Sequence, residues 1–325
     1  MFQNLVHAKV FQDYIEQSEF PTAPANLYDP IRYILSLSGK RIRPLLVTLG
    51  AALFDEAVLE ASLPASTAIE FFHNFSLIHD DIMDKAPLRR GKETVHQKWN
   101  ESVAILSGDA LLVKAYEELA KCPSDKIVPL LRLFNQTALE VCEGQQYDMD
   151  FELRADVSQD EYIDMIRLKT SVLLGCALQM GAIIGGADIA AQQQLYAFGV
   201  NLGIAFQLQD DLLDVYGDPE TFGKQVGGDI LSNKKTILFI QLRERLQDSD
   251  KQLFEHLLGS DVEQEPDKVE KMKALYAKHD IRDFAEALKE KFTAVAYEQL
   301  RAIGVDEAKK TTLFALADAL MNRKQ

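Results

Sequence analysis

Leu77-Ile78-His79-Asp80-Asp81-Ile82-Met83-Asp84 sets three carboxylates into an otherwise apolar run. A helix advances about 100° per residue, which puts Asp80 and Asp84 about 40° apart with Asp81 inside the same ~100° arc. The stretch reads as a helix with one acidic face. The same spacing returns much later in Gln209-Asp210-Asp211-Leu212-Leu213-Asp214. Carboxylates on apolar helices are costly to bury without cations, and two bare acidic faces repel when brought together. Divalent ions between the faces answer both difficulties. Hard oxygen donors with no His/Cys ligand cluster favour Mg²⁺, which keeps waters and recruits substrate phosphates. A metal-diphosphate site is the first expectation.

At 325 residues, length alone suggests about two domains of ~100–200 residues. Two half-sites that have to face one another argue instead for a single domain over residues 1–325. With 47% hydrophobic and 26% charged residues the chain can bury a sizeable core and is too apolar for disorder. A net charge of −15 excludes nonspecific nucleic-acid binding and attraction to anionic lipid, both of which need positive fields. Cys122, Cys142 and Cys176 are odd in number and lack metal-ligand spacing, which points to free thiols in a reducing compartment. No signal-peptide pattern opens the chain, so a cytoplasmic location is expected.

Outward from the first motif, the periodicity predicts a helix running from Thr67 through Glu70, Phe71, Phe72, His73 and Phe75 into the acidic face. His73 precedes Asp80 by seven residues and lies about 20° from it around the axis, so it faces the same way. Upstream, Ser38-Gly39-Lys40-Arg41-Ile42-Arg43-Pro44 reads as a basic turn with Pro44 at the first position of a helix. Downstream, Lys85 to Lys92 is a basic loop whose Arg89 and Arg90 can clamp phosphate oxygens bidentately. Ser102–Leu119 and Val128–Tyr147 read as helices; Gln145 and Asp148 lie one turn apart, as a surface pair or as part of a site.

Ser158-Gln159-Asp160-Glu161 forms a capping box that opens a helix carrying Lys169-Thr170. Residues 170–187 are uncharged but hold Gln179 and small residues such as Gly175, Gly181 and Gly185. The run falls short of the ~20 strongly apolar residues of a membrane span. It predicts a central helix closely approached by others, and no transmembrane segment. Leu195–Tyr216 carries the second acidic motif, followed by a glycine-bearing loop from Phe222 to Asp229, after which Lys234-Lys235-Thr236 begins another helix. No stretch sustains strand alternation, so the fold is expected to be all α.

Taken together, these motifs resemble the trans-isoprenyl diphosphate synthases, or polyprenyl synthetase family, over nearly the whole chain. The ordered set is the first acidic motif with Arg89-Arg90-Gly91 after it, the second with Phe206-Gln207 before and Gly223-Lys224 after, and Gly39-Lys40-Arg41-x-Arg43-Pro44. One acidic motif is weak evidence; the ordered set is specific. The resemblance implies an isoprenoid-synthase-type helical bundle around a deep central cavity, a homodimer, and three Mg²⁺ bridging an allylic diphosphate to both acidic helices. Asp80, Asp84 and Asp210 would be the main ligands, with Asp81, Asp211 and Asp214 ligating or holding metal-bound waters. Arg89, Lys169 and Lys224 match residues that hold the allylic diphosphate, and Lys234 a further lysine near it. Lys40, Arg43, His73 and Arg90 match the isopentenyl diphosphate site, while Thr170 and Gln207 match residues beside the developing carbocation. Ser38 and Asn233 stand where many relatives have glycine; both types tolerate turns.

The implied reaction is head-to-tail condensation of isopentenyl diphosphate with dimethylallyl, geranyl or farnesyl diphosphate by ionisation, condensation and elimination. Product length in such enzymes is set just upstream of the first motif. The wheel puts Ser76 about 40°, Phe72 about 80° and Phe75 about 140° from Asp80, with Phe72 about 12 Å along the axis. Bulky residues there predict a short product, geranylgeranyl diphosphate before farnesyl diphosphate, although core packing is an alternative role for the aromatics. A class I terpene cyclase is disfavoured by the intact second motif, and a noncatalytic partner subunit by the complete set of acidic and basic residues.

Overall fold

The computed structural model describes residues 5–217, 227–260 and 263–322; Lys224, with Gly223, lies outside them. The chain is 78% helical, as the missing strand alternation predicts. Its helices are α1 (Val6–Glu16), α2 (Ala25–Ser36), α3 (Ile42–Ala52), α4 (Leu59–Met83), α5 (Val95–Lys98), α6 (Glu101–Leu119), α7 (Ile127–Leu153), α8 (Gln159–Ile166), α9 (Val172–Ile184) and α10 (Ile189–Tyr216). They continue with α11 (Gly228–Leu231), α12 (Ile237–Arg245), α13 (Asp248–Gly259), α14 (Lys268–Lys278), α15 (Ile281–Ala302) and α16 (Glu307–Met321).

Two compact units are formed. The first comprises the described residues of Met1–Thr137, Leu173–Tyr196 and Ile303–Lys310. In it α4 packs on α3 and α6, through fully buried Leu46, Val47, Ala65, Ala68, Ile69, Ala104 and Leu111. The uncharged run is a close-packed helix as expected: a Cβ on Gly181 would sit 2.1 Å from the Val47 carbonyl oxygen. The segment Gln159–Ile184 has the length and hydropathy to cross a membrane, yet 78% of its most apolar window is buried inside the protein.

The second unit comprises the described residues of Ala138–Val172, Ala197–Ala302 and Thr311–Gln325. Its core joins Ile204, Leu208, Leu212 and Val215 of α10 to residues of α12, α14 and α15. The capping box forms as predicted: Ser158 N donates to Glu161 Oε2 at 2.9 Å and Glu161 N to Ser158 Oγ at 3.3 Å.

Two local differences have simple causes. Helix α3 starts at Ile42, so Pro44 is its third residue rather than its first; an N–H there has no intrahelical partner in any case. The basic loop closes into a short antiparallel ribbon, Leu88 opposite Glu93 and Arg89 opposite Lys92. Arg90 (φ 53°) and Gly91 (φ 74°) form its left-handed turn. Strands this short leave no alternation to read.

Candidate active site

Helix α4 carries the first acidic motif on its last turn. Asp81 falls on the buried stripe of Phe71, Asn74 and Ile78, and its side chain is 1% exposed. Burial raises its carboxyl above the usual range, against the pull of Arg89. The ribbon delivers that arginine: Arg89 Nε donates to Asp81 Oδ1 at 2.9 Å and Oδ2 at 2.8 Å, and Nη2 approaches Asp80 Oδ2 at 3.5 Å. Asp80 is half-buried and Asp84 exposed. The outer pair faces outward while the middle residue anchors the guanidinium.

A basic cluster lies in the same unit. Arg43 Nη1 approaches His73 Nε2 at 3.1 Å. A guanidinium can only donate, so Nε2 accepts and the imidazole is neutral. Burial first, then Arg43, Arg90 and Arg89, drive the His73 pKa well below the ordinary histidine range. Burial pushes Arg43 down to about 10, with Arg90 adding to the effect, and it remains charged at neutral pH. Arg43 Nε is buried without a hydrogen-bond partner among the described residues. Arg90 Nη1 donates to the Leu37 carbonyl at 3.3 Å, which brings it against the turn that ends in exposed Lys40. Arg43, His73 and Arg90 thus lie close together, with the turn that leads to Lys40 packed against Arg90. Arg41, left-handed at φ 47°, pairs with buried Glu70 and the Leu35 carbonyl, while its charge still bears on Arg90 and His73.

Below the acid end of α4, Phe72 is 1% exposed. It packs on Phe75 at 5.6 Å and edge-on to Phe134 at 5.3 Å between ring centroids. Phe75 is half-buried and meets the His79 ring at 4.7 Å. Ser76 Oγ donates back to the His73 carbonyl at 2.8 Å, which leaves the aromatic rings as the bulk at this level.

In the second unit, Asp211 flanks the buried stripe of α10 and is 7% exposed, whereas Asp210 and Asp214 are half-buried. Asp211 Oδ2 accepts from the Tyr162 hydroxyl at 2.5 Å and from Ile237 N at 3.4 Å. Its pKa is pushed up to about 7, by burial first and by the charge of Asp229 next, against the Tyr162 hydroxyl and Lys234. Asp214 Oδ2 accepts from Asp229 N at 3.0 Å. Thr170 and Gln207 are half-buried and Lys234 is exposed.

Lys169 sits in a π-helical segment, Arg167–Ser171, between α8 and α9. Such segments recur at functional sites because one extra residue re-aims the side chains. Lys169 Nζ donates to Asp148 Oδ2 at 2.5 Å. Gly144 permits the approach, since a Cβ there would lie 2.2 Å from Lys169 N. Sequence reasoning left Asp148 undecided and missed Tyr162 and Asp229. Only the turn spacing of Asp148 from Gln145 signalled any of them.

Among the described residues no three His, Cys, Asp or Glu side chains are arranged to hold a metal ion by themselves. The carboxylates fit Mg²⁺ all the same: they are hard oxygen donors, and Asp211 is a buried acid beside the like charge of Asp229. Mg²⁺ habitually completes its shell with water and substrate phosphate.

Residues 24–278 match the polyprenyl synthetase family. The chain belongs to this family. It is 43% identical over 229 residues (69% of each chain) to a geranylgeranyl diphosphate synthase of Methanosarcina mazei. To the geranylgeranyl diphosphate synthase of Saccharolobus solfataricus it is 36% identical over 298 residues, 90% of this chain and 89% of the relative. A crystal structure of a geranylgeranyl pyrophosphate synthase superposes with a TM-score of 0.92 at 44% identity, covering 98% of both chains. Polyprenyl synthetases are all-α prenyltransferases that elongate a chain by condensation with isopentenyl diphosphate, and their catalysis depends on Mg²⁺. This protein is such a prenyltransferase.

Proposed function

We propose that the chain acts as a single polyprenyl synthetase domain, a cytoplasmic homodimer, and makes geranylgeranyl diphosphate. The observation that carries the product length is the aromatic floor of α4, where buried Phe72 packs on Phe75 and Phe134 upstream of the first acidic motif. Relatives named geranylgeranyl diphosphate synthase support the same length.

In this reading the first motif would hold Mg²⁺ through Asp80 and Asp84 with Asp81 in support, and the second through Asp210 with Asp211 and Asp214 in support. Bound Mg²⁺ supplies Lewis-acid stabilisation of the leaving diphosphate. Arg89, Lys169, Lys224 and Lys234 hold that diphosphate, and their charges count most as the allylic C–O bond breaks and its electron pair leaves with oxygen. Thr170 and Gln207 turn oxygen dipoles toward the cation left on carbon. Lys40, Arg43, His73 and Arg90 orient isopentenyl diphosphate so that its double bond attacks; the proton lost in forming the new double bond goes to the released diphosphate. Neutral His73 contributes hydrogen bonding rather than charge.

The test is to incubate the protein with Mg²⁺, isopentenyl diphosphate and each allylic primer in turn and to measure product length. A twenty-carbon diphosphate is expected from every primer; a fifteen-carbon end product would make it a farnesyl diphosphate synthase. Asp80→Ala or Asp210→Ala should lower turnover by about two or more orders of magnitude with folding intact. Near-normal rates would remove these residues from the site.

A further inference from the structure

The backbone around Lys234 is tied to the second acidic motif at both ends. Gly227 N donates to the Asp214 carbonyl at 2.7 Å, Asp229 N to Asp214 Oδ2 at 3.0 Å, and Ile237 N to Asp211 Oδ2 at 3.4 Å. Between these ties Lys234 N returns to the Asp229 carbonyl at 2.9 Å. Asn233, immediately before it, is left-handed at φ 53°. A glycine would take that conformation without help; asparagine also has an amide to satisfy.

Both ends of the amide are bonded. Asn233 Nδ2 donates to the Leu258 carbonyl at 3.2 Å, and Oδ1 accepts from Lys268 Nζ at 2.9 Å. Lys268 also donates to the Ser260 carbonyl at 3.0 Å and is 2% exposed. A lysine is rarely buried so fully, because desolvating an ammonium is costly unless its hydrogen bonds are kept. The next residue touches the loop again: a Cβ on Gly227 (φ 85°) would lie 2.8 Å from Val269 Cγ1. The first turn of α14 thus grips the loop near both its ends.

We propose that Lys268 is a positioning residue for the allylic diphosphate, acting through the Asn233 amide to fix the backbone that presents Lys234. This rests on the reading of Lys234 as a diphosphate ligand. Nothing in the reaction requires Lys268 to touch substrate. Its ammonium bonds the Asn233 amide in the turn before Lys234 and the Ser260 carbonyl behind it, and loss of the first bond would leave that turn loosely held.

The test compares Lys268→Met, Lys234→Ala and the double variant in the full chain, measuring KM for geranyl diphosphate and for isopentenyl diphosphate separately, with melting curves. Each single change should raise KM for geranyl diphosphate about tenfold, the effect of losing one charge-assisted contact. KM for isopentenyl diphosphate should stay within about twofold, because its proposed ligands belong to the other unit. The double variant should be no worse than Lys234→Ala, since Lys268 acts only through that residue. Lys268→Gln keeps an N–H donor for Asn233 and should recover most of the loss, and it serves if the methionine variant folds poorly. If Lys234→Ala raises KM for geranyl diphosphate but Lys268→Met does not, or if the two losses multiply, the positioning role is overturned while the ligand reading stands. Equal rises in both KM values with a lowered melting temperature would make Lys268 purely structural and also overturn it. If Lys234→Ala leaves KM for geranyl diphosphate unchanged, the ligand reading fails and takes the positioning role with it.

Discussion

Asp81 and Asp211 hold the middle place in their motifs and the inner side of their helices. For Asp211 this has a pH consequence whose sign is fixed. The unfolded carboxyl loses its proton near pH 4, while the folded one holds it to about 7. Between those values the native state binds more protons, so without metal Asp211 makes stability fall as pH rises from about 4 to 7. Mg²⁺ requires the ionised form. Below pH 7 affinity for Mg²⁺ with inorganic diphosphate should therefore fall more steeply than the ionisation of the diphosphate alone requires. Thermal shifts at pH 6, 7 and 8 measure this, and Asp211→Asn should flatten the dependence. A flat profile in the unaltered protein would contradict it. The sequence reading groups all three carboxylates on one acidic face; the structure separates the middle one, which lies on the side of the Leu208 and Leu212 stripe in α10. What no wheel could show is which arginine of a basic turn points inward. Arg41 precedes α3 in a left-handed conformation and pairs with Glu70, whereas Arg43 lies within the helix and meets His73.

At the scale of elements, α4 joins an acidic end to the two rings proposed as the product floor, and these differ in burial. Phe72 is buried between Phe75 and Phe134, so Phe72→Ala should lengthen the product and also cost about 3–5 kcal/mol. Phe75 is half-buried; Phe75→Ala should lengthen the product with a smaller loss of melting temperature. Chromatography of the products beside melting curves separates the two, and an unchanged product profile in the double variant would put the floor elsewhere. The π-helical segment makes a second case. Gly144→Ala forces a Cβ to 2.2 Å from Lys169 N and should cost about 1–3 kcal/mol. Turnover should fall with it as Lys169 is displaced from Asp148. Helix existence, the capping box and the close-packed uncharged helix were readable from period and cap chemistry. The π segment was not, because an extra residue within a helix leaves the apolar period nearly intact and is fixed by what packs on it.

At the scale of the whole molecule, the homodimer was implied by resemblance alone, and α6 offers a face on which it can be tested. On α6, Leu106 and Val113 are 60% and 59% exposed and lie two turns apart, about 20° from one another around the axis. Tyr116, one turn on, is 37% exposed and packs edge-on to Phe134 at 5.2 Å. Isolated exposed apolar residues are ordinary, but several on one helix face mark an interaction surface. If that face joins two copies, light scattering should give about twice the 36.5 kDa of the chain. Leu106→Asp with Val113→Asp should return the species to the chain mass, because a desolvated, unpaired carboxylate at an apolar interface is strongly unfavourable. Helicity by circular dichroism should hold, since neither side chain is needed for the core of its own unit. A parent protein already at the chain mass, or a double variant that stays paired, would remove α6 from the interface.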